Sequence, residues 1–497
     1  LLVAQEPRVT SEGSGGVATA FIAEFGSGKP VIGLMLQFDA LPGLGNAAVP
    51  RNEPRADGVT SGHGCGHNLI AAIGIGASLA LQALLVDREL PGTPRVYGGA
   101  SEDTEGAMVY MARAGLFDDV DAILHCHSAD VAGLVNVRKS VQTQIYVEFK
   151  GEPAHAANAP WDGRSTPDGG ELILHGLNNM REHIKPTARL HYIIRDGGTA
   201  ADIVPEKASV QLTLREETRA AVEDVVAWIR DMVEGAALMT QTEGLAIAYH
   251  GMYDILPNTP LAERMQAHLS GVGLPEYTKE ESAVARALQE SADLDPEGMR
   301  DAIPPLPNEP TVGGSTDVGD VSCITPTMDV TILGLPVGIG LHTWMATACH
   351  GTSIATKSSV LTSKAVALTG ADLFTDAELL EAVRSDFERR IEGFVYVSPL
   401  PDEIKEPVGL PEELRRFGSM SSVREAILDH AADHELDPFG HDHDHHQSLD
   451  GNAPTALPVE LDGDVVATPV LVLPSSRVGD RAQPDRRSSV ALGLDSA

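Results

Sequence analysis

Apolar and polar positions follow two different rhythms along this chain, and the change near Val141 divides it. Before that point, residues 30–39 (PVIGLMLQFD) are apolar at successive positions, the mark of a strand buried on both faces. Residues 69–85 are a long Ala, Leu and Ile run, which predicts a helix too apolar to face water on any broad side. Residues 95–98 predict a short strand, 106–114 a helix and 121–127 (DAILHCH) another strand. Strand, helix, strand, helix, strand is the order of a mostly parallel sheet covered by helices.

From Val141 the pattern alternates instead. Residues 142–149 read as a half-buried strand, 167–183 as an amphipathic helix, 190–194 and 208–214 as strands, 220–238 as a helix and 245–250 as a last strand. The order β-α-β-β-α-β is the ferredoxin-like arrangement. The first rhythm resumes near Thr311, with a strand at 329–333 and a helix at 353–373. The fold class is therefore α/β, with one domain formed by residues 1–140 and 256–400 and an α+β domain inserted at 141–255. Residues 276–310, acidic and Pro-containing, read as a surface loop. The stretch 401–497 is rich in Asp, Pro and Ser and reads as a largely disordered acidic extension, apart from a helix at 421–434. Within it, His441-Asp442-His443-Asp444-His445-His446 reads equally well as a metal-binding tract or a solvated linker.

Composition narrows the class of protein. A formal charge of −35 repels phosphate backbones, so nucleic acid is excluded as a partner. No run approaches the eighteen or so apolar residues that a membrane span needs. Cys65, Cys126, Cys323 and Cys349 form no C-x-x-C pair, which points to a reducing, cytoplasmic compartment rather than a disulfide framework. The chain opens on Leu1 rather than Met and reads as lacking its start.

The chemistry centres on Ser61-Gly62-His63-Gly64-Cys65-Gly66-His67-Asn68, where glycines permit tight turns just ahead of the apolar helix. Alone, this stretch is also compatible with a Gly-rich turn holding a buried Cys and two surface histidines. Its surroundings tip the balance, because Asp39, Glu102, Asp103 and His127 all fall at carboxyl ends of predicted strands, where functional groups gather. Cys65, His67, Asp103, His127 and His342 form a mixed S/N/O donor set that suits zinc or manganese. Five donors exceed one tetrahedral site and point to two divalent metal ions about 3.5–4 Å apart. Glu102, beside a ligand but not itself one, reads as a general base or as a surface carboxylate. Asp39 reads as the group that orients a ligand imidazole or as a turn-forming Asp.

Several motifs together resemble the aminoacylase/carboxypeptidase family of dinuclear metallohydrolases, in its amidohydrolase branch. They are Phe38–Gly43 (FDALPG), Gly62–Asn68 (GHGCGHN), Met111–Gly115 (MARAG), Ala154-His155-Ala156, Gly163-Arg164-Ser165, Gly313–Asp320 (GGSTDVGD) and His342-Thr343-Trp344. The resemblance spans about residues 19–376 and implies a two-metal catalytic domain with an inserted lid/dimerisation domain, hence a homodimer. It implies that Cys65, His67, Asp103, His127 and His342 hold the metals, with Glu102 as base and Asp39 orienting the metal site. It further implies that His155 polarises the scissile carbonyl, across the dimer, and that Arg215 holds a substrate carboxylate. Arg215 alone reads as readily as half of an ion pair with Glu216 or Glu217. The implied activity is metal-dependent hydrolysis of an N-acyl amino acid, aminoacyl-glutamate or dipeptide-like amide.

The chain departs from the family at three places. Glu102-Asp103 stands where the family has Glu-Glu, Gly99-Ala100-Ser101 replaces a pattern with proline, and Asp202 stands where Asn is usual. A charge at Asp202 repels a carboxylate-bearing substrate. These departures leave open a second expectation, a weak or inactive homologue that binds metal or peptide.

Overall fold

Val31–Gln37 and Thr327–Leu333 are buried at every position, which requires a sheet covered on both faces. The computed structural model describes residues 8–133, 138–306, 312–401 and 404. The predicted helix at 421–434 and the His-rich tract at 441–446 lie outside the described residues.

In chain order, β1 (Arg8–Glu12) and β2 (Phe21–Glu24) lead into β3 (Val31–Gln37). Then come α1 (His67–Arg88), β4 (Thr93–Gly99), α2 (Ala107–Arg113), β5 (Ala122–Ala129) and the short β6 (Arg138–Lys139). The alternating segment supplies β7 (Val141–Lys150), α3 (Thr166–Met180), β8 (Arg189–Asp196), β9 (Lys207–Glu216), α4 (Arg219–Thr240) and β10 (Glu243–Met252). Helices α5 (Thr259–Val272) and α6 (Lys279–Glu290) precede β11 (Val312–Gly313), which pairs with β6. Helix α7 (Val318–Ser322), β12 (Thr327–Leu333), α8 (Trp344–His350), α9 (Ser353–Thr375) and α10 (Ala377–Arg390) complete the described fold.

The main sheet has the order β1-β2-β4-β3-β5-β12, parallel from β4 to β12 and antiparallel at the β1-β2 edge. Period-two alternation on β3 sends Ile32, Leu34 and Leu36 against Ile70, Ile73 and Leu81 of α1 and Met265 of α5. Val31 and Met35 point the other way, toward Tyr97, Met108, Phe117 and Val318. The second sheet has the order β10-β7-β9-β8, antiparallel throughout, which is the ferredoxin-like arrangement. Helices α3 and α4 cover one of its faces through Ile173, Leu177, Val226 and Ile229. Tyr146, Ile247 and Tyr249 of this sheet join the core that lies against α2.

A chain of hydrogen bonds runs between the two sheets. Gln211 Nε2 donates to Tyr249 Oη at 2.7 Å, the Tyr249 hydroxyl donates to Gln144 Oε1, and Gln144 Nε2 donates to the Thr104 carbonyl at 3.1 Å. Thr104 directly follows Glu102-Asp103.

Three readings of the sequence need correction. Residues 276–310 are not all loop, because Lys279–Glu290 is helical with a capping box between Thr278 and Glu281. That Thr-x-x-Glu signature was legible, but the acidity of the segment masked it. Helix α1 does face water on one side, exposing Ile75, Leu79 and Val86. It lies on the outside of the sheet beside α9, and a narrow apolar groove remains between the two, lined by Ala72, Leu84, Val360 and Leu368. The same helix is also long and apolar enough to span a membrane, although half of its most apolar window is buried in the protein.

Gly319 of α7 lies so close to the chain just after β10 that an added Cβ would stand 1.9 Å from the Tyr253 carbonyl oxygen. Gly319→Ala is expected to destabilise the fold by about 1–3 kcal/mol through overpacking. Gly235 in α4 has nothing within 4 Å of its Cβ position, and Gly235→Ala is expected to gain about 0.5–1 kcal/mol from helix propensity. Urea unfolding of both variants checks the contrast; equal midpoints would show that α7 yields freely.

Candidate metal centre

Two loops are clasped together before any side chain is considered. Gly66, at φ 85°, caps α1, and His67 is the first residue of that helix. The His342 N–H donates to the Gly64 carbonyl at 3.0 Å, and an added Cβ on Gly64 would meet Leu44 Cδ1 at 2.7 Å and His342 Cα at 3.3 Å. Glycine there is what lets the two loops approach. His342 itself has φ 60°, an uncommon conformation for a residue with a Cβ, and Ser101, just ahead of Glu102, has φ 67°.

The side chains gather into overlapping sets whose donor atoms lie within 4.8 Å of one another: Cys65, Asp103 and His342; His67, Glu102 and His127; Asp39, His67 and Asp103. Asp39 Oδ1 lies 2.9 Å from His67 Nδ1, and its other oxygen accepts from the Asp103 N–H at 3.3 Å. His67 Nε2 and His127 Nε2 stand 3.6 and 3.5 Å from the two oxygens of Glu102, too far for good hydrogen bonds. His342 Nε2 lies 3.1 Å from Asp103 Oδ1. The sequence set Glu102 apart from the ligands, whereas here it faces the same point as His67 and His127.

Buried polar atoms normally find partners. Here His67 Nε2, Glu102 Oε1 and Asp103 Oδ2 are buried without a hydrogen bond among the described residues. Orphaned atoms from an imidazole and two carboxylates, beside a buried thiol, fit a pair of divalent cations, because each would otherwise be desolvated without return.

Electrostatics point the same way. Burial raises the Cys65 thiol, but bonding to His342 and His67 outweighs it and leaves the pKa below its ordinary value. Burial opposes charge on His67, yet Asp39, Cys65 and Glu102 carry its pKa up to about 12. His342 rises to about 10 through Asp103 and Cys65. Glu102 is pushed upward by burial and pulled further down by His127 and His67, to about 2, so it is a carboxylate. The nearby Thr316 side chain also lowers the Glu102 pKa.

One acidic group here was missed by the sequence reading. Asp329 Oδ1 stands 3.1 Å from His125 Nδ1 and 3.2 Å from His127 Nδ1. His125 and His127 share a strand face, and Asp329 is opposite His125 in the β5-β12 register. The i, i+2 spacing of the histidines was visible, but the partner strand lies some two hundred residues on.

The inserted domain places its residues differently. Val204 N–H donates to the Ala154 carbonyl and Ala156 N–H to the Asp202 carbonyl, so His155 and Asp202 lie side by side. Both are exposed, and His155 belongs to none of the donor sets. Its Nδ1 accepts from the N–H groups of Ala157 and Asn158 at 3.3 Å. Arg215 pairs with neither Glu216 nor Glu217; its Nε donates to Ser315 Oγ at 3.2 Å. Burial lowers its pKa, with no carboxylate among the described residues opposing the effect. Since Ser315 precedes Thr316, Arg215 is brought to the edge of the cluster around Glu102.

Residues 141–239 match the peptidase dimerisation domain of M20 enzymes. A p-aminobenzoyl-glutamate hydrolase subunit of Escherichia coli is 34% identical over 417 residues, covering 78% of this chain and 87% of its own. The Xaa-Arg dipeptidase of Mus musculus is 27% identical over 391 residues, covering 76% of this chain and 79% of its own. A dinuclear metal-binding M20 peptidase from Bacillus subtilis has a TM-score of 0.45 at 18% identity, covering 73% of this chain and 87% of that one. With this fold, these clustered donors and a relative that similar over most of its length, the chain belongs to the M20 family of amide- and peptide-bond hydrolases.

Proposed function

We propose that the protein is a metal-dependent amidohydrolase that cleaves an N-acyl amino acid, an aminoacyl-glutamate or a dipeptide-like amide. The observation that carries this reading is the pair of three-donor sets with their orphaned buried atoms. The names of the relatives, an aminobenzoyl-glutamate hydrolase and a dipeptidase, support the substrate class. Cys65, His67, Asp103, His127 and His342 would hold two divalent ions, zinc or manganese by donor type. Bound there, such ions supply an acidified water and a polarised carbonyl.

The chain's own residues do the rest. Asp39 fixes the His67 ring through Nδ1, leaving Nε2 directed at the centre. Glu102 takes the proton of the attacking water on a carboxylate oxygen and gives it to the leaving nitrogen. His155 donates to the carbonyl oxygen as it gains charge, from the lid of a second copy, since it lies outside its own subunit's donor sets. The β8 edge, with Ile193 and Ile194 exposed, supports pairing of two lids into a homodimer. Arg215, a cation facing no carboxylate among the described residues, holds the carboxylate of the substrate by its planar fork. The alternative of an inactive metal- or peptide-binding homologue is weakened by Asp103, which reaches His342 despite its shorter side chain.

Glu102→Gln is expected to lower turnover by a factor on the order of 10² or more while the protein keeps its metal. Metal analysis beside the rate decides the role, since loss of metal would make Glu102 a ligand rather than the base. For the lid, inactive Glu102→Gln and His155→Ala subunits, mixed and allowed to exchange, should regain activity, because one hybrid site then holds every group. Exchanged hybrids that stay inactive would put His155 outside the chemistry or within its own subunit's site.

Asp202 sets the substrate prediction. Asn can donate to a carboxylate, whereas ionised Asp only accepts. Asp202→Asn should therefore lower KM for amides ending in a free carboxylate and change kcat less. Amides without that carboxylate should gain nothing, and an equal response from both classes would show that Asp202 does not read charge.

A further inference from the structure

His350 stands at the last position of α8, the helix that begins two residues after His342. It is buried, with 3% of its surface exposed. Its Nδ1 lies 2.7 Å from the His63 carbonyl oxygen, inside the loop that carries Cys65 and His67. A carbonyl can only accept, so Nδ1 carries the proton and donates. Nε2 is then the acceptor for the Ser128 hydroxyl at 2.8 Å, and Ser128 is the neighbour of His127 on β5. The His350 carbonyl also accepts from Asn68 Nδ2 at 3.2 Å.

The surroundings leave this imidazole no other place. An added Cβ on Gly66 would meet Ser128 Cβ at 2.7 Å and His350 Cε1 at 3.1 Å. One on Gly334, just past β12, would meet Ser128 Oγ at 2.1 Å. Burial pushes the His350 pKa down to about 4, which keeps Nε2 unprotonated as the bond to Ser128 requires.

We propose that His350 is a positioning residue for the metal centre: through His63 and Ser128 it ties the Cys65–His67 loop to the strand that carries His127. This rests on the reading of Cys65, His67, His127 and His342 as metal ligands. Three of the chain segments that bring those donors together, the loop, β5 and α8, meet at this one ring. His350 touches no donor atom, so it acts by holding distances between donors rather than by chemistry.

Cobalt(II) titration of the apo protein tests the proposal, read by the thiolate-to-cobalt absorption that reports on Cys65 itself. Wild type should develop the band and Cys65→Ser should lose it; a wild type without the band overturns the metal-centre reading, and the role of His350 with it. His350→Leu removes both hydrogen bonds and should weaken cobalt affinity about 10- to 100-fold, the usual range for such supporting groups. His350→Asn, although smaller, keeps an N–H donor near the Nδ1 position and should recover most of that loss. Unchanged affinity in His350→Leu, or equal losses in Leu and Asn, would overturn the proposal. Should His350→Leu fail to fold, His350→Asn and Ser128→Ala decide it. Both lack the Ser128 bond, so a several-fold loss of cobalt affinity in each supports the role, and unchanged affinity in either rejects it.

Discussion

Gathering a thiol, three imidazoles and four carboxylates side by side, with Cys65, His67, His127, Glu102 and Asp329 buried, is the constraint on which the rest of this structure depends. In water these groups would be solvated separately, but in a low-dielectric pocket each charge needs an opposite charge or a bond. The protein answers with pairings: Asp39 on His67, Asp103 on His342, Glu102 between His67 and His127, and Asp329 on His127. What remains unpaired is the inward-facing atom of several of these groups. The fold holds those atoms near one another by glycines that let loops touch and by strand ends that point to a common place.

That arrangement explains why the donors come from so many parts of the chain. Cys65 and His67 belong to a helix start, Glu102 and Asp103 to a turn after β4, His127 to β5, and His342 to the entry of α8. A parallel sheet brings carboxyl ends of strands together however far apart they lie in sequence. The inserted sheet then stands over the same turn, with Arg215 reaching Ser315.

Much of this was legible from residues alone, because period and spacing are local. The largely apolar 30–39 stretch announced a doubly covered strand, and the alternating segment after Val141 announced the ferredoxin-like unit, both as found. What was not legible depends on contacts between distant segments. Asp329 and His350 carry no local mark, because their roles come from the β5-β12 register and from the end of a seven-residue helix. The approach of Glu102 to two imidazoles is equally a product of assembly, since sequence order says only that it precedes Asp103. The exposed stripe on α1 was misjudged because hydrophobicity alone does not say which side a neighbouring helix leaves open.

The hydrogen-bonded chain Gln211–Tyr249–Gln144–Thr104 has a mechanical consequence. It crosses from the inserted sheet to the peptide that follows the two site carboxylates. Swinging the inserted sheet as a rigid body would either break that chain or drag Thr104 along with it. Motion of the inserted sheet and of the carboxylate turn is therefore coupled through this one contact, by no more than the roughly 0.5–1.5 kcal/mol that a hydrogen bond is worth.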